Sequence, residues 1–375
     1  VAIKYAQQII EMYEHLQSQI FNLLINALKN SHYEDLAADD MLEWQLQQLT
    51  KAGLLTSQTI DLVAGVNKRA PELIQNMCSQ LGIETVKTTQ DEINRYTKHS
   101  GKLQPATQKI INSYANQTWK SLFNNVNETL LTRNIHSNAT ARIYRDIVTK
   151  STMEVSAGLK TPERAIRDNV YRWVNAGIPT RLTDSAGHGW SLEGYARTVI
   201  NSTNNNVVNE LRVKTMNVNN VTTSKMSWHM CARSACAPIQ GHIVNMVPRL
   251  DPNYNPKYDT IYDHGYGEKS GTLGINCHHQ FTPWDPDVNI EHPDPDMPSP
   301  DEAVKMGDVQ QKQRARERAI RQTKKKINAA QQLGDDQTVS NAKSTLANQQ
   351  KRMREMIKNN DFLTRDYARE QVQSK

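Results

Sequence analysis

No apolar run in the sequence approaches the ~20 residues needed to cross a bilayer. The first residues also lack the charged-then-apolar pattern and small-residue cleavage site of a secretory signal, so a soluble protein made in the cytosol is expected. Four cysteines in 375 residues are too few for a disulfide scaffold. Three of them fall between Cys231 and Cys277, a clustering that points to metal or packing rather than oxidation. Aromatic residues make up only 6% and hydrophobic residues 37%, so the core should be spread along amphipathic helices rather than gathered into one globule. There is no serine elbow, no His-Glu-x-x-His and no cysteine-protease signature. The stretch Gly265 to Gly274, with Lys269 and Ser270 inside it, lacks the Gly-Lys-Ser/Thr ending that a phosphate loop requires, and reads as a flexible surface loop.

What is present is enough chain for two or three domains, with a net charge of +6 and a pI near 9.0. That charge gives a mild attraction to polyanions without identifying a partner. From Tyr5 to Leu28, apolar residues recur at Ile9, Tyr13, Leu16, Ile20, Leu23, Leu24 and Ala27, the spacing of one helical face. Helix starts at Asp39-Asp40 and Thr56-Ser57, with breaks at Pro71 and Gly82, predict short helices joined by tight turns. Periodicity continues through Ile110 to Val126 and Ala139 to Met153, and a further helix is expected over about Leu192 to Met216. Short strands are expected at Val221 to His229 and His242 to Val247, with a last extended piece from Thr272 to Pro283.

The predicted class is therefore α+β, predominantly helical. The segments are a helical docking domain over 1–176, a small α+β core bearing Cys and His over 177–285, a Pro/Asp-rich linker over 286–300, and a basic helical hairpin over 301–375 broken at Gly334-Asp335-Asp336.

Chemistry concentrates in two pieces, Ser227 to Gly241 and Gly274 to Phe281. If both are extended, His229 and Cys231 share one face and so do Cys277 and His279, because side chains alternate with period two. Cys236, just before Pro238, sits in a turn that can fold back toward them. The expected ligand set for a structural zinc is His229, Cys236, Cys277 and His279, with Cys231 as substitute. The competing reading is of reduced buried thiols and hydrogen-bonded imidazoles. A metal-dependent nuclease, with His278 or His279 activating water beside Asn276 and Asp263, is the alternative chemistry.

These two pieces carry a resemblance. Trp228-His229, Ala232-Arg233, Gln240-Gly241, Gly265-Tyr266-Gly267, the run Gly274-Ile275-Asn276-Cys277-His278-His279 and Phe281-Thr282-Pro283 follow, in order and spacing, the pattern of the minor capsid protein 2 family of tailed bacteriophages. Cys236 stands where the family pattern has His, His278 where it has Arg, and Ile239 where an aromatic is usual. Ala196-Arg197-Thr198, Gln311 to Arg321 and Asp366 to Glu370 resemble the family's flanking helices.

The resemblance implies a structural, non-enzymatic head protein in the virion. It would sit at the portal vertex inside the capsid, with the portal protein as partner, major capsid or scaffolding protein as further contacts, and a part in DNA packaging or ejection. Between Val309 and Leu333 there are eight Lys or Arg against Glu317. In a head interior such a helix is expected to lie along packaged double-stranded DNA through Lys312, Arg314, Arg318, Arg321, Lys324 and Lys325. A solvated helix face is the commoner outcome for such a run.

Overall fold

The computed structural model describes residues 2–100, 106–183, 187, 189–268, 270–274, 277–292 and 294–372. The described residues are predominantly helical with two small sheets, the α+β class expected. The helices are α1 Ala2–Lys29, α2 Met41–Thr50, α3 Ala52–Tyr96, α4 Thr107–Leu122, α5 Glu128–Leu131, α6 Ala139–Ser156, α7 Pro162–Ala176, α8 Leu192–Val218, α9 Pro300–Gln332 and α10 Asp336–Lys358. The strands are β1 Pro179–Thr183, β2 Gly189–Ser191, β3 Thr223–Met226, β4 Ile243–Asn245, β5 Asp259–Thr260 and β6 Phe281–Trp284.

Two compact units are assembled from separated stretches. One comprises residues 1–6, 72–118 and 200–313, the other 7–71, 119–199 and 314–375. In the second, helical unit, Ile9, Tyr13, Leu16, Ile20, Leu24 and Leu28 are buried, so the stripe read from the sequence is the face that α1 buries. Its loops are closed by side-chain caps. Asn138 accepts from the amides of Thr140 and Ala141 to start α6, and Thr161 accepts from Arg164 ahead of Pro162 to start α7, each satisfying donors left open in a first turn. β1 and β2 pair antiparallel in this unit, two strands for which the sequence pattern gave no expectation.

Where short helices were expected, α3 runs 45 residues with Pro71 and Gly82 inside it. Gly82 is not a break. A Cβ there would lie 2.5 Å from Ile111 Cδ1 and 3.1 Å from Leu211 Cδ1, so the missing side chain lets α4 and α8 approach the α3 backbone.

In the first unit a four-stranded sheet has the order β5-β4-β3-β6, antiparallel except for the parallel β4–β5 pair. Its strands are two to four residues long, too short to persist alone. They are held by a buried cluster of Ile93 from α3, Val213 and Met216 from α8, and Met226, Val244, Ile261, Leu273 and Phe281. Buried Arg212 of α8 donates to the Phe281 carbonyl and pairs with Glu92 of α3, tying helices to β6. The approach to α9 is fixed by a capping box in which the Ser299 amide donates to Glu302 Oε2 at 3.0 Å and the Glu302 amide to Ser299 Oγ at 3.4 Å.

Candidate metal centre

β3 ends at Met226, and the Ser227 amide donates to the Gln280 carbonyl at 2.8 Å, which sets the segment before β6 beside the segment after β3. Beyond Arg233 the chain folds into successive turns. The amides of Cys236 and Ala237 both donate to the Arg233 carbonyl, and those of Ile239 and Gln240 to the Cys236 carbonyl. This is the fold-back expected of Cys236. Residues 277 to 281 alternate buried and exposed, with Cys277, His279 and Phe281 inward, although only the last of these is in a strand.

Cys236, Cys277 and His279 therefore converge. Sγ to Sγ is 3.9 Å, Cys277 Sγ to His279 Nδ1 is 3.4 Å, and all three ligand atoms lie within 4.8 Å of one another, all three residues buried. Such a group can hold a metal ion. Buried against each other, the two thiols titrate unequally: hydrogen bonding from Cys236 holds the Cys277 sulfur well below the usual thiol range, while the same bond and burial push Cys236 up.

His229, the fourth expected ligand, is adjacent but does not join the three. Its ring lies against that of His279 with centroids 4.6 Å apart, and its Nε2 is 3.2 Å from the His278 carbonyl. The reason is local: β3 stops before it, so it leaves the strand direction that the alternation assumed. Burial, then the neighbouring His279, lowers its pKa. Cys231 is half-buried outside the cluster, and Cys78 is buried on α3, its thiol pushed up to about 12 by desolvation.

Residue-type reasoning did not single out Gln240, which is 1% exposed. Its Oε1 lies 3.2 Å from His279 Nε2 and accepts the His229 amide at 3.0 Å. A carboxamide carries no charge or ligand signal, and only the folded turn brings it to both histidines.

Of the two partners proposed for a nuclease, the described one, Asp263, is not part of the Cys/His group. Asp263 accepts from Arg249 Nε at 2.6 Å, and Asn276 lies outside the described residues, as does Lys269. Among the described residues no carboxylate joins the Cys/His group. The loop after His264 closes on itself. The Thr272 amide donates to the His264 carbonyl at 2.9 Å, and a Cβ on Gly271 would sit 1.9 Å from the Gly265 carbonyl oxygen.

The six cations expected at DNA are placed unevenly. Lys312 and Arg318 are exposed. Arg314 pairs with Glu317 at 2.9 Å, Lys324 donates to Gln371 Oε1 at 3.3 Å, and Arg321 and Lys325 both pair with buried Glu193.

The family model described as "Phage minor capsid protein 2" matches residues 3–358. A "Structural protein" of Lactococcus phage LL-H is 42% identical over 366 residues, 96% of this chain and 97% of that protein. A "Structural protein" of Lactococcus phage mv4 is 42% identical over 128 residues, 33% of this chain and 97% of that protein. No solved structure matches the chain.

Proposed function

The chain belongs to the phage minor capsid protein 2 family, and from that premise we propose that it is bound to the portal on the inside of the capsid, where it aids head assembly and the packaging or ejection of DNA. The observation that carries this reading is the likeness, across nearly the whole chain, to a phage structural protein. The cluster supports a structural rather than catalytic role, because no acid among the described residues stands beside it to activate water. A structural zinc is the cofactor this reading takes.

An assembly component needs a surface for its partner, and the helical unit offers one. Gln45 donates to Thr149 and Tyr144 to Gln48, so α2 and α6 run antiparallel and one further turn brings Leu42 toward Met153. Leu42, Leu46 and Met153 are 64%, 68% and 65% exposed, an apolar face bordered by exposed Asp39, Asp40 and Glu43. It suits a portal surface of apolar residues ringed by Lys or Arg. Contact with packaged duplex DNA would run through outward cations such as Lys312 and Arg318, and would weaken steeply with salt.

The test is co-purification with the portal protein and quantification in purified heads. Wild-type protein should appear in both, and the double substitution Leu42→Glu, Leu46→Glu should lose portal binding while keeping its helical circular dichroism. Heads that lack the wild-type protein would overturn the role, and undiminished binding by the double variant would overturn the surface.

A further inference from the structure

Resting on the structural reading of the cluster, we propose that Cys236 Sγ, Cys277 Sγ and His279 Nδ1 are three ligands of one zinc ion. In the same proposal Gln240 positions His279, and His229 completes the set by turning its ring inward. A tetrahedral ion has ligand-to-ligand edges about 1.6 times its bond lengths, so Zn–S near 2.3 Å and Zn–N near 2.0 Å require edges of about 3.8 Å for S···S and about 3.5 Å for S···N. The observed edges are 3.9 Å and 3.4 Å. Two of the three edges thus already match a zinc-sized tetrahedron, and all three ligand atoms lie within 4.8 Å of one another.

Gln240 decides which imidazole nitrogen is available. Its Oε1 must face donors, because it takes the His229 amide, and flipping the carboxamide would set NH₂ against that N–H. His279 Nε2 therefore carries the proton and donates to Oε1. That leaves Nδ1 with its lone pair toward the sulfurs, the tautomer a metal needs from a histidine whose other nitrogen is held by an outer partner.

Two soft sulfurs and an imidazole select zinc over magnesium or calcium, which take oxygen ligands. The fourth corner falls to His229, whose ring already touches His279 and whose backbone amide is pinned by Gln240, so only side-chain torsions need change. Four protein ligands close the site against substrate. The ion would then cross-link turns 41 residues apart in sequence, in a unit whose strands are too short to hold themselves.

The test uses the full-length chain purified from zinc-replete cells. Elemental analysis should find roughly one zinc per chain, and cobalt exchanged into the site should show thiolate charge-transfer and tetrahedral d–d absorption. Gln240→Ala should weaken zinc about 10–100-fold in competition with a chromophoric chelator, and Gln240→Glu, which keeps the acceptor, should restore most of it. His229→Ala should change the cobalt d–d bands, while Cys231→Ser should leave them alone.

Metal-free protein that takes up no added zinc would overturn the site, and it does so in wild type, where no substitution can be blamed for misfolding. Unchanged affinity in Gln240→Ala would overturn the positioning role, and unchanged cobalt bands in His229→Ala would overturn the fourth ligand. A zinc-free chain still found in heads would remove the metal and leave the capsid role standing. A zinc-loaded chain absent from heads would do the reverse.

Discussion

The helical unit and the sheet-containing unit are built from the same chain by different rules. In the helical unit, neighbours in sequence decide most of the structure: a stripe repeating every three or four residues becomes a buried face, and an Asn or Thr before it becomes a cap. In the sheet-containing unit, strands of two to four residues are meaningful only through partners far along the chain, and the side chains of interest sit in the turns between them. Local pattern thus suffices where burial is one-dimensional, and fails where it depends on which distant turns meet.

The strongest way to break this contrast is to ask whether the helical unit really rests on its apolar stripe alone. Glu193, at the start of α8, is buried and pairs with Arg321 and Lys325 while accepting from Gln17 at 3.2 Å. Glu193→Ala should cost about 3 kcal/mol in urea unfolding, the low end for a broken buried pair, because the two cations it strands are only half-buried. Burial alone would raise the Glu193 carboxyl, but Lys325, Arg321 and Arg197 outweigh it and hold the pKa below the ordinary value. Its stabilising contribution is accordingly full above the ordinary carboxylate range and is lost as pH falls through the depressed folded value. Glu14, raised chiefly by burial, acts oppositely at higher pH. The acid arm of the wild-type stability profile, compared with that of Glu193→Gln, isolates the first effect, and identical arms would remove Glu193 from the account.

A second way probes the sheet-containing unit where α3 crosses α4 and α8. Gly82→Ala should gain up to about 1 kcal/mol of helix propensity yet lose about 1–3 kcal/mol to overpacking against Ile111, a net loss seen in thermal unfolding. A stabilised variant would mean that α4 can yield and that Ile111 moves aside for the added methyl group, which would otherwise meet it at 2.5 Å. The smallest effect sharpens the contrast. Ser299→Ala removes the cap on α9 and should cost about 1 kcal/mol, visible as faster amide exchange in its first turn.

Legibility followed the same division. The α1 stripe, the break at Gly334 and the predominantly helical class could be read directly, because each is a periodicity or a backbone requirement. The unbroken α3 could not. Pro71 and Gly82 are helix breakers by propensity, and the close packing of Ile111 and Leu211 that makes glycine necessary is invisible without the fold. Of the candidate site, Cys236, Cys277 and His279 announced themselves by residue type, and their alternation survived even outside a strand. His229 was expected on the same face because the strand was assumed to continue past Met226. Gln240 carried no chemical signal until the turn after Arg233 set it against two imidazoles. Among the cations of α9, sequence alone could not tell those turned inward to Glu193 from those left in solvent.

Gly241 has a φ of 75°, and a Cβ there would lie 2.2 Å from Met297 Sδ. The proline-rich stretch leading into α9 is thus a connector in the covalent sense but a wall in the steric sense, seated against the residue that follows Gln240. Gly307 adds a second footing, since its Cβ would come within 3.2 Å of the Ala232 carbonyl oxygen. The root of the long basic helix is therefore moored to the same turns that present Cys236. The seat of Met297 is thus one residue from Gln240, which takes the His229 amide and faces His279 Nε2, so the entry to that helix and the histidine pair share one turn.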